Sequence, residues 1–132
     1  MSIRPEVRYL IPCWKEPTYV NQRPSALEIL YAVKPTAGTS YPVWQRPFFI
    51  FVLITNLHGS CKFHIELHRE ELEQETVVQR SDVFNLDFVN DPLHVQPLSI
   101  MMKATELEDP GVYHVCLVWN DEILAKATFH GR

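Results

Sequence analysis

Cysteine, glycine and positive charge are all scarce in this chain of 132 residues. Its three cysteines, Cys13, Cys61 and Cys116, stand far apart with no Cys-x-x-Cys pair. That pattern argues against a disulfide framework and against a cysteine-rich zinc centre. Lys and Arg number 12 against 16 Asp and Glu, a formal net charge of -4. Phosphate contacts need clustered cations, so no nucleic-acid partner is expected. No apolar run approaches the ~18 residues of a membrane span. The longest, Phe48 to Ile54, has the length of one buried strand, and no membrane association is expected. The first ten residues hold no apolar stretch of signal-peptide length, so a cytoplasmic location is the expectation. Phosphate-cradling glycine loops and a G-x-S-x-G elbow are both missing, so neither an enzyme nor a cofactor is expected.

What is present is ordinary globular composition, 46% apolar and 21% charged, enough for a single domain over residues 1–132. No window carries a sustained helical stripe. Strands are expected instead at Val7 to Cys13, Ala26 to Val33, Phe48 to Ile54 and Cys61 to His68. Weaker ones follow at Thr76 to Gln79, Phe84 to Val89 and Leu98 to Ala104, with a break at Asn90, Asp91 and Pro92 between the last two. Pro12 inside the first run implies a sheet edge or a bulge. Phe48 to Ile54 is apolar at every position and belongs in a sheet centre. Cys61 to His68 alternates, with Cys61, Phe63, Ile65 and Leu67 on one face and Lys62, His64, Glu66 and His68 on the other. The acidic stretch Arg69 to Glu75 lacks β formers and reads as a turn or one helical turn, a solvated loop rather than a site. Gly111 to Trp119 and Ile123 to Phe129, joined by Asn120 and Asp121, read as a β-hairpin. Eight or nine short strands without helices predict an all-β protein, an immunoglobulin-like antiparallel β-sandwich.

Leu107, Asp109, Gly111 and Tyr113 follow the L-x-D-x-G-x-Y spacing that leads into the penultimate strand of such sandwiches. There the tyrosine turns its hydroxyl back onto the preceding corner. Antibody-type domains place cysteine two residues later; Val115 stands here. Pro47 to Val52, Gly59, Pro110, Gly111, Tyr113, Leu124 and Ala125 together make the chain similar to a bacterial family of small proteins of unknown function. That resemblance implies an immunoglobulin-like sandwich and supplies no catalytic residues.

The chemistry-bearing candidates fall into two groups. His64 and His68 share the wet face of their strand, and His114 and Cys116 join them there if Tyr113, Val115 and Leu117 point inward. Imidazoles and a thiolate are zinc or copper ligands. Residues two apart on a strand are about 7 Å apart, so a site needs two strands in register. The plainer reading is a polar face, open to solvent or packed on another subunit. The second group is Trp14, Tyr19, Arg23, Tyr41, Trp44 and Arg46, in or beside two proline-bearing loops. Aromatic and Arg side chains on rigid loops are what binding hot spots use; the rings can equally cap the open ends of a sandwich. The expected function is a non-catalytic protein-interaction module. A metal or redox protein using the outer-face His and Cys residues and a structural homodimer are the alternatives.

Overall fold

The computed structural model describes residues 4–21, 23–56, 58–88 and 95–132. The protein is all-β, with no helix and thirteen strands among the described residues. The expected break at Asn90, Asp91 and Pro92, and the end of the expected strand at Val89, lie outside those residues.

Strand β6 (Phe48–Thr55) is the centre of a three-stranded sheet, flanked by β1 (Glu6–Cys13) and β10 (Val95–Met102), both antiparallel to it. Phe48, Ile50, Val52 and Ile54 enter the core from one of its faces. Phe51 on the other face is covered by the ring of Tyr19, 6.3 Å away, from the small ladder β2 (Thr18–Val20) and β3 (Arg23–Ala26). This is why the run is apolar throughout. β1 is an edge strand of this sheet, the position Pro12 needs, and it carries a separate irregularity between Val7 and Tyr9.

A six-stranded sheet faces the same core. Its order is β4 (Ala32–Val33), β13 (Glu122–Gly131), β12 (Gly111–Trp119), β7 (Gly59–Glu71) and β8 (Gln74–Arg80), with β9 (Phe84–Phe88) beside β8 on β7. Cys61, Phe63, Ile65 and Leu67 of β7 are buried, and Tyr113, Val115 and Leu117 of β12 join them. Phe129 of β13 meets Phe48 of β6 edge-on at 6.2 Å, linking the two sheets. Asn120 and Asp121 both have positive φ, 49° and 59°, the backbone that a two-residue hairpin turn demands.

Three expectations change. The stretch Ala26 to Val33 is not one strand. Leu30 is fully buried while Ile29 and Tyr31 are exposed, because the segment crosses between sheets. It bonds first to the end of β1 (Trp14 N to Glu28 O, Leu30 N to Pro12 O) and then to β13 (His130 N to Tyr31 O). The acidic stretch is a β-hairpin, not a loop or helical turn. β7 runs on to Glu71, Glu73 takes φ 65°, and Leu72 at the tip is 96% exposed. The proline-bearing loop that carries Tyr41, Trp44 and Arg46 is not strand-free: it contains β5 (Val43–Gln45), which pairs β11 (Thr105–Leu107). Such short added strands raise the count above nine. The sheets curl into a half-barrel that stays open along one side.

Candidate functional site

The tyrosine corner is present. Tyr113 Oη donates to the carbonyl of Asp109 at 2.5 Å, and Gly111 has φ 151°. Arg69 clamps the same corner through the Asp109 carboxylate at 2.7 Å and through Glu71. Positioning the start of β12 sets its register with β7: His114 lies opposite His68, Cys116 opposite Glu66 and Val118 opposite His64.

His64, His68 and His114 are thus brought onto one face, with Cys116 buried beneath it, but carboxylates occupy the three imidazoles. Glu66 sits between two imidazoles, with Oε2 2.7 Å from His64 Nε2 and Oε1 2.8 Å from His68 Nε2. His114 Nε2 lies 2.9 Å from Glu70, and its Nδ1 2.9 Å from Thr128 Oγ1. Lys126 donates to both oxygens of Glu75. Burial pushes the Glu66 carboxyl up, yet hydrogen bonds from His64 and His68 and the Arg80 charge outweigh it and hold it below the usual range. Lys126 does the same for Glu75. Cys116 is fully buried, and desolvation lifts its thiol to about 11, so in the structure as it stands it carries its proton at neutral pH. Among the described residues no group of three His, Cys, Asp or Glu side chains is placed to hold a metal ion. Alternation already put Glu66 on this face, but sequence reasoning missed Glu70 and Glu75, which only the hairpin register, Glu70 opposite Glu75, turns onto it.

The loop aromatics do not converge. Tyr19 covers Phe51, and the backbone of Trp14 joins Glu28. Tyr41 Oη donates to Arg132 O at 3.0 Å and packs over Gly131, so it caps the core. Arg23 and Arg46 are exposed. Trp44, 68% exposed, alone stands at a cleft.

That cleft, about 430 Å³, runs between Thr76 to Gln79 of β8 and Ala104 to Glu106 around β11, with Tyr113 and Arg69 at its base. A second, about 420 Å³, continues where the first stops. Its walls are Arg80 to Asp82 on one side and Leu98 to Met101 with Lys103 on the other, over Phe84 and Leu86. Together they form one groove along the open side of the half-barrel. Consecutive residues of a strand point to opposite faces, so a wall lined by four in a row presents its backbone edge. Among the described residues β8 pairs only β7, and β10 only β6, so both edges are unpaired toward the groove. Gln79 and Ser99, both lining it, each carry a buried side-chain oxygen with no hydrogen-bond partner among the described residues.

No family model matches the chain, and no curated protein does. A solved structure does: the alkylpurine DNA glycosylase AlkC of Pseudomonas fluorescens, bound to DNA containing an abasic site analog. The TM-score is 0.57 at 10% identity over 100% of this chain. The chain spans 31% of the length of that protein, so the likeness is one of fold. It corrects two expectations. Lack of a catalytic motif pointed away from an enzyme, and acidic charge away from nucleic acid, yet a protein that carries this fold over 31% of its length is a DNA glycosylase bound to DNA. Neither negative charge balance nor missing motifs exclude those roles, because a site can be carried by parts of a protein that a fold does not specify. No helix among the described residues is long and apolar enough to cross a membrane.

Proposed function

We propose that the chain is an immunoglobulin-like sandwich domain that works by binding a partner protein in the groove between its two unpaired strand edges. The strand orders β1-β6-β10 and β4-β13-β12-β7-β8, with the tyrosine corner at Tyr113, support the sandwich. The observation that carries the function is the groove itself, with Trp44 exposed at its mouth. An exposed indole beside a polar cleft is the arrangement of an interface anchor. The outer face of the six-stranded sheet supports the reading less: Glu66, Glu70 and Glu75 already take up His64, His114 and Lys126 there, and only the buried Nδ1 of His68 is left without a hydrogen-bond partner among the described residues of that face.

The test is capture of partners from cell lysate with the wild-type chain, the Trp44→Ala variant and the Trp14→Ala variant as baits. A specific protein held by the wild type and by Trp14→Ala, and lost with Trp44→Ala, is the expected result. Equal retention by Trp44→Ala removes the groove from the function. Because the solved structure with this fold is bound to DNA, a duplex carrying an abasic site analog is titrated alongside. Saturable duplex binding with no protein captured replaces the protein-partner reading.

A further inference from the structure

The backbone edges along the groove narrow its occupant further. This step rests on the groove being the partner site. We propose that the groove takes an extended polypeptide segment, which adds as a strand and closes the open side of the half-barrel.

Strand edges carry a row of N–H and C=O groups that a chain in extended form satisfies, and side-chain pockets then select alternate residues. Here both walls offer such edges, which a compact small ligand does not need. The wall from Thr76 to Asp82 is seven residues long, about 20 Å at the rise of a strand. It matches a segment of about six residues.

The chemistry differs from end to end. Phe84, Leu86, Leu98 and Ile100 are half-buried against the core and leave apolar surface in the second cleft. Alternate apolar residues of the segment lie there. Around Trp44 stand Glu106 and Glu108, which have no ion-pair partner among the described residues, whereas Arg69 is spent on Asp109 and Glu71. A Lys or Arg at that end of the segment meets two carboxylates and the face of an exposed indole, which attracts cations. Lys103, also without an ion pair among the described residues, stands where the two clefts adjoin and favours an acidic residue in the middle of the segment.

The experiment pans a displayed library of random decapeptides on the wild-type chain, then measures amide hydrogen exchange with the selected peptide bound. The expected peptides alternate apolar and polar residues with a basic residue at one end. They slow exchange within Thr76 to Asp82 and Leu98 to Glu106. The double variant Glu106→Lys with Glu108→Lys, on exposed side chains, is expected to bind them at least tenfold more weakly. It is also expected to select peptides with an acidic end.

Protection confined to the His114 face or to the Tyr19 region, or no selected peptide at all, overturns the proposal. So does slowed exchange at these edges that rises with protein concentration without peptide, which assigns the groove to a second copy. A Trp44-dependent partner that leaves both edges exchanging freely sinks strand addition while the partner-binding reading stands. Loss of both sinks the two together.

Discussion

Nε2 of His68 lies 2.8 Å from Oε1 of Glu66, on a sheet face where both side chains are largely buried. The carboxylate accepts from His64 as well, so one anion organises two imidazoles. Its held-down pKa makes it a source of stability with a defined pH range. A carboxyl whose folded value lies below its unfolded one, near 4.5, contributes fully above that value. The contribution is lost as pH falls through the folded value.

Stability is therefore expected to be level on this account above pH 4.5 and to decline below it. Urea unfolding from pH 3 to pH 7 checks this. Glu66→Gln is expected to lower stability at pH 7 by about 1–3 kcal/mol, because buried His68 loses a charged acceptor. It is also expected to flatten the acid limb. An acid limb as steep in the variant as in the wild type assigns the decline to other carboxylates, Glu71 and Glu75 first.

Cys116 should behave as an inert thiol. With a pKa of about 11, roughly one thiol in a thousand is ionised at pH 8, and none of its surface is exposed. Cys13 and Cys61 are buried too, with thiols pushed up by desolvation. An aromatic disulfide reagent at pH 8 is expected to release no chromophore from the native protein and three equivalents from the denatured one. Rapid release from the native protein contradicts the burial of all three.

Tyr113→Phe isolates the corner. The ring stays, stacked on Phe129 at 5.4 Å, and only the hydroxyl bond to Asp109 is removed. A loss of about 1 kcal/mol in chemical denaturation is expected. An unchanged midpoint means the corner is held by Arg69 alone.

The sequence made some of this legible and hid the rest for identifiable reasons. Cys61 to His68 announced its two faces because alternation is a local property, and β7 carries the buried set where the pattern puts it. Tyr113 was legible because its partner, Asp109, is four residues away. Leu30 was not. Its segment changes sheets, and nothing in the local pattern of Ala26 to Val33 records that Glu28 will face Trp14 while Tyr31 faces His130. Glu70 and Glu75 looked like solvated loop charge because their environment comes from Lys126 and His114, far along the chain. Trp44 was picked out for its residue type, but its cleft depends on β8 and β11 ending up opposite each other. Edges left unpaired are a property of topology, which no local window contains.

The crossing at Leu30 also decides how the domain carries load. It delivers β4 to β13 in parallel, with His130 N bonded to Tyr31 O and Arg132 N to Val33 O. Tension drawn between the start of β4 and the end of β13 runs along this ladder rather than across it. Its hydrogen bonds are then sheared together instead of unzipped singly, and the shortest strand among the described residues becomes the domain's tensile fastening.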